Sequence, residues 1–127
     1  MDTNYTHIIE INEHSTLGSV QAQFNKVFPY LKVSFYSKLT DKKKGEKLKL
    51  LDQLEKELVL LSKTAKDSVS FFITPDLSVT QLDQLFIDHF GLHILIHRNS
   101  GRLWLQINAT DSWSLEEQNK QGEDLCA

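Results

Sequence analysis

Residues 7–30, HIIEINEHSTLGSVQAQFNKVFPY, can be laid over residues 69–92, VSFFITPDLSVTQLDQLFIDHFGL, at an offset of 62 positions. Ile9 then falls on Phe71, Ile11 on Ile73, Thr16 on Ser78, Leu17 on Val79, Val20 on Leu82, Phe24 on Phe86 and Phe28 on Phe90. After a one-residue gap, LKVSFY (31–36) covers LHILIH (92–97), with Val33 over Ile94 and Phe35 over Ile96.

Each stretch reads in three parts. A short alternating strand comes first, apolar at Ile9 and Ile11 or at Val69, Phe71 and Ile73. A helix opened by a hydroxyl cap follows: Thr16 in the first stretch, and Ser78 in the second, where Gln81 completes a capping box. Apolar residues at 17, 20, 24, 27 and 28, and at 79, 82, 85, 86 and 90, mark one buried helix face. Pro29 and Gly91 stand at the stop positions, since proline cannot extend a helix and glycine readily takes the left-handed cap. A return strand closes each unit. The expectation is two β–α–β units, 7–36 and 69–97, each with parallel strands.

Between the units, Lys38–Gly45 is polar and reads as an exposed loop, and Glu46–Lys63 as a helix with Leu51, Leu54, Leu58 and Leu61 at three-and-four spacing. Its stripe is either an inward domain face or a partner-binding helix; Glu57–Leu61 also reads as a strand. Beyond the second unit, Asn99-Ser100-Gly101 forms a tight turn into a fifth strand with Leu103, Leu105 and Ile107 alternating. Ser114 and Glu117 make another capping box, which opens an acidic helix. The hairpin strand and helix together occupy 102–124. The whole predicts an α+β class, related to the ferredoxin-like arrangement, with one mixed sheet of about five strands covered by helices.

Composition bounds the rest. The 127 residues fit a single domain spanning 1–127, with 40% apolar and 24% charged residues in the globular range. The formal charge of −3 counts against a protein that wraps a nucleic-acid backbone. Cys126 is the only cysteine, so no disulfide closes within the chain. The first ten residues lack the pattern of a signal peptide, and no apolar run is long enough to span a bilayer. A cytoplasmic location is the expectation.

Strand alternation assigns side chains to two faces. Ile9, Ile11, Val33, Phe35, Phe71, Ile73, Leu92, Ile94, Ile96, Leu103, Leu105 and Ile107 form the expected core face. The opposite face collects Tyr36, Phe72, His93, His97 and Trp104 among small polar groups. Rings among polar side chains on a sheet mark either a second core under a helix or an open contact surface. Those five residues are the candidate binding set.

Other chemistries find little footing. His93 and His97 are four strand residues apart, about 13 Å, too far to share one metal ion. No glycine-rich phosphate loop is present, and no cofactor is expected. No Ser or Cys nucleophile sits in an elbow context. The leading expectation is a non-enzymatic protein-binding or adaptor module that self-associates. The alternatives are a small enzyme using His93 or His97 as acid/base, and a nucleic-acid binder using the basic patch of Lys42, Lys43 and Lys44. Charge is also segregated: Lys38–Lys49 holds six lysines against Asp41 and Glu46, while 110–127 holds five acids against Lys120. Either these are two solvated surfaces, or the basic segment meets the acidic one within one chain or across a dimer.

Overall fold

The computed structural model describes residues 8–41, 45–58 and 70–126, with the backbone alone at 38–41 and 45–48. The elements are β1 (Ile9–Asn12), α1 (Leu17–Val27), β2 (Leu31–Asp41), β3 (Gly45–Leu51), β4 (Ser70–Ile73), α2 (Val79–Phe90), β5 (His93–Asn99), β6 (Trp104–Gln106) and α3 (Leu115–Cys126). The chain is α+β. Among the described residues, no helix is long and apolar enough to cross a membrane.

The helices form where the caps predict. Thr16 Oγ1 accepts from the Ser19 amide at 3.1 Å, and Ser19 Oγ accepts from the Thr16 amide at 3.0 Å. Ser78 and Gln81 make the same reciprocal pair ahead of α2. Ser114 and Glu117 repeat it ahead of α3. Each box satisfies amides that the first turn leaves without partners, typically contributing about 1 kcal/mol. The Ser19 half of the first box is not a glutamate or glutamine, so the usual sequence pattern misses it. Gly91 ends α2 with φ 67°, the left-handed conformation that a Cβ disfavours. The buried faces are Leu17, Val20 and Phe24 on α1, and Val79, Leu82, Phe86 and Phe90 on α2, as the spacing predicts.

Strand pairing departs from the expectation. Instead of one mixed sheet of about five strands, the described residues form two antiparallel sheets: β1–β4, and β3–β2–β5–β6. The two ends of each β–α–β stretch lie in different sheets, so neither stretch is a parallel crossover. β1 pairs with β4 through Ile9↔Ile73 and Ile11↔Phe71, and β2 with β5 through Val33↔Ile96 and Phe35↔Ile94. Periodicity fixes which side chains turn inward; it does not fix which strand supplies the hydrogen-bond partner.

The segment after β2 is a second correction. Residues 45–51 form a strand instead of the start of a helix, and β2 continues to Asp41 where a loop was expected. The run GEKLKLL also alternates with period two, and pairing along β2 from Phe35↔Leu51 to Asp41↔Gly45 outweighs the helical preference of Lys and Leu. Leu54 is half exposed in a turn, and Leu58 is fully buried. Leu61 and the basic patch of Lys42, Lys43 and Lys44 lie outside the described residues.

One core joins both sheets and the helices. The Phe86 ring lies 5.1 Å from Phe35 of the larger sheet and 5.2 Å from Phe71 of the smaller, edge-on to both, with Phe90 at 6.1 Å. Ile107 is buried as expected, whereas Leu103 and Leu105 are exposed. Leu103 lies in the turn, its carbonyl bonded by the Ser100 amide, and Leu105 is at the sheet edge opposite Arg98, whose guanidinium turns away to Gln118.

The third helix is held by polar contacts. Gln118 is fully buried; its Oε1 accepts from Arg98 Nη1 at 2.7 Å, and its Nε2 donates to the Thr110 carbonyl and hydroxyl. Gly122 lies where α3 crosses the start of β2, and an added Cβ there would stand 2.6 Å from Tyr30 Cβ. Gly122→Ala therefore sets two effects in opposition. Helix propensity favours alanine by about 1 kcal/mol. The clash with an adjacent β-carbon forces a backbone shift of the kind that costs about 1–3 kcal/mol. The expected outcome is net destabilisation, read as a lower denaturant midpoint in urea unfolding; a raised midpoint would show that α3 moves freely off β2.

Candidate functional site

Parity along β2, β5 and β6 builds the candidate face. On β2, Leu31, Val33 and Phe35 are buried, which sends Lys32, Ser34 and Tyr36 to the outer side. On β5, Ile94 and Ile96 are buried, which sends His93, Leu95 and His97 outward. Register aligns the two rows: Tyr36 stands opposite His93, Ser34 opposite Leu95, and Lys32 opposite His97. β6 adds Gln106 opposite His97 and Trp104 opposite Asn99. Tyr36, His93, His97 and Trp104 are therefore brought to one side of one sheet, and all four are partly exposed.

Phe72 is not among them. It lies on the smaller sheet opposite Glu10 and is 54% exposed. Its inward neighbours, Phe71 and Ile73, are core residues, so alternation along β4 was read correctly. The error lay in placing β4 in the same sheet as β6.

Lys32 was not singled out from the sequence, yet it organises the face. Its ammonium sits 4.2 Å from the centroid of the Trp104 ring, reaching across β5 from β2 to β6. Such a contact stabilises by about 0.5–1 kcal/mol at an exposed site and fixes the plane of the indole. An ionisable residue pointing outward next to a strand aromatic was the available signal, but the contact depends on the β2–β5–β6 order. The same ammonium acts on His97: burial first, and then the positive charge of Lys32, hold the imidazole below its ordinary value of 6.5. His97 is accordingly neutral at pH 7 and acts as a hydrogen-bonding group.

Among the described residues, no carboxylate bonds to His93 or His97, and neither lines either of two cavities at the surface. The larger cavity, about 560 Å³, lies between α3, the end of α1 and the turn after β4. Of the other histidines, His14 meets Glu57 at 3.1 Å on the exposed surface, and His89 stacks on Phe71 at 4.9 Å between centroids. Among the described residues, no group of three potential ligands could hold a metal ion.

All three described helices lie away from the outer face. α3 contacts the sheet on the inward side, through Arg98 of β5, and α1 and α2 carry their buried stripes into the common core. No protein-family model, curated protein or solved structure matches this chain.

The electrostatic arrangement is testable by titration. Folding favours neutral His97, so its contribution to stability is present above the ordinary pKa and is lost as pH falls through the window below 6.5. Following the His97 ring proton by NMR, the midpoint should lie below that of an unfolded peptide. Lys32→Met should raise it only part of the way back, because burial, the larger cause, remains. An unchanged midpoint in Lys32→Met would mean that the ammonium does not face the imidazole.

Proposed function

We propose that this chain is a non-enzymatic protein-binding module whose partner docks across the outer face of the four-stranded sheet. The observation that carries this reading is the convergence of Tyr36, His93, His97 and Trp104 on one side of β2, β5 and β6, with Lys32 pinning the indole. Tyrosine and tryptophan bring large contact area with few rotatable bonds, which is why they dominate interface energetics. The flanking groups set polarity. Lys32 and Gln106 donate hydrogen bonds, and neutral His97 either donates or accepts one, so a partner segment with apolar side chains flanking a carboxylate fits best.

Segments 7–36 and 69–97 are, on this reading, two equivalent units facing each other about a pseudo-two-fold axis. Support comes from corresponding contacts: Thr16 bridges Glu57 as Ser78 bridges Ser114, and the Leu58 amide bonds Ser15 O as the Leu115 amide bonds Leu77 O.

Peptide display on the immobilised chain tests the proposal, with selected peptides mapped by amide shift changes. Shifts should cluster on β2, β5 and β6. Trp104→Ala or Tyr36→Ala should weaken binding at least about thirtyfold, the effect of losing one hot-spot residue, with thermal unfolding little changed. Phe72→Ala should leave affinity intact. Peptides that map to Phe72, or that bind Trp104→Ala equally well, would remove the assignment.

A further inference from the structure

On the reading that the outer sheet face is the binding surface, its two ends present different chemistry. At one end Leu50, Tyr36 and His93 form a row across β3, β2 and β5, since Leu50 stands opposite Tyr36 and Tyr36 opposite His93. Leu50 is 52% exposed, and Leu95 extends the apolar surface towards the centre. At the other end Lys32, His97 and Gln106 form a row across β2, β5 and β6, with the Trp104 ring against the ammonium. Of the described outer-face side chains in this sheet, Lys32 is the one lysine or arginine, and none is a carboxylate. Among the described residues, no carboxylate pairs with Lys32. Tyr36 and Lys32 are four residues apart along β2, so the apolar and cationic ends stand about 13 Å from each other.

Backbone hydrogen bonding decides the form of an occupant. β2 pairs with β3 and β5, and β5 with β2 and β6, so the middle of the face offers side chains only. An extended segment laid there would displace water from its own amides and carbonyls without replacing it, which buried backbone rarely tolerates. Pairing along the β6 edge adds little, since β6 is three residues long. A helix closes its hydrogen bonds internally and presents only side chains. Its width also fits. The four strands span about 14 Å at their usual spacing, and a helix with its side chains is about 10–12 Å across. One helix running along β2 covers the face.

Helical rise then sets the spacing. At about 1.5 Å per residue, 13 Å corresponds to about eight or nine residues. Positions i, i+3, i+4, i+7 and i+8 share one side of a helix. Apolar side chains at i and i+4 rest on Leu50, Tyr36 and Leu95, and the side chain at i+7 or i+8 reaches Lys32. A carboxylate is the complement there. The indole meets the cation with its face and leaves ammonium hydrogens free to donate, and Gln106 and His97 add hydrogen-bonding groups beside it.

We propose that the occupant is an amphipathic helix of a partner protein, with an apolar stripe over Leu50, Tyr36 and Leu95 and, two turns along, an Asp or Glu against Lys32.

A display library of random linear peptides, selected on the intact chain, tests this. Binders that shift amides on β2, β5 and β6 should gain helical circular dichroism in the complex. They should carry an acid seven or eight positions from the first of two apolar residues. Proline placed between the apolar pair and the acid should weaken such a peptide by about a hundredfold or more, as expected in a helix interior. Lys32→Glu should weaken it by about tenfold or more, and changing the peptide's acid to lysine should restore affinity for that variant. The rescue also shows that Lys32→Glu folds. Binders that map to this face but stay non-helical, tolerate the proline or ignore Lys32→Glu overturn the helix and leave the binding face standing. Binders that map elsewhere, or a library that yields none, overturn the face and the helix together. A wild-type dimer that dissociates in Trp104→Ala would make the occupant a second copy and overturn the partner helix.

Discussion

The edge-on contacts of Phe86 are the joint on which the architecture depends. One ring on α2 touches Phe35 in the larger sheet and Phe71 in the smaller, so a single helix residue links two sheets whose described strands share no backbone hydrogen bonds. Edge-to-face pairs hold both distance and angle, because the positive ring edge seeks the negative face. Once Phe35 and Phe71 point at that ring, alternation along their strands has no freedom left. Lys32, Ser34 and Tyr36 must face outward on β2, and Ser70 and Phe72 on β4. The candidate binding face follows from where the core is.

What could be read from the sequence divides along the same line. Local signals were legible: the caps at Thr16, Ser78 and Ser114, the stop at Gly91, and the inward parity of Ile9, Val33, Phe71 and Ile94. All of these depend on residues within one or two turns of each other. Strand partnership was not legible, because Ile11 meets Phe71 across 60 positions and nothing near either residue encodes the other. GEKLKLL satisfied both periods, and only the presence of β2 alongside it decided between strand and helix. Phe72 left the candidate site for the same reason: its parity was correct and its sheet was not. Lys32 entered the site because the order β2–β5–β6 carries its side chain to Trp104.

Polar anchoring explains how α3 contributes while contacting the sheet so sparingly. Its apolar burial is small, with Leu115 its one fully buried apolar side chain. Position is instead set by a node in which Gln118 satisfies both ends of its amide, and by the close crossing at Gly122. A buried amide with every hydrogen bond made fixes one geometry, whereas an apolar contact tolerates sliding. The walls of the cavity beside α3 are therefore firm, since Asn119, Lys120 and Glu123 belong to the same turns as the node.

The small net charge conceals a division of sign along the molecule. Cationic groups lie on the outer sheet face and in the β2–β3 segment, and carboxylates lie along α3 near the opposite end of β2. Tyr30 and Lys32 show how the sheet separates the two signs: Tyr30 bonds Asn119 on the acidic helix, and two residues on, strand alternation turns Lys32 to the outer side over Trp104. Cation and carboxylates thus stand on opposite sides of the same strand, held there by the alternation that buries Leu31 and Val33.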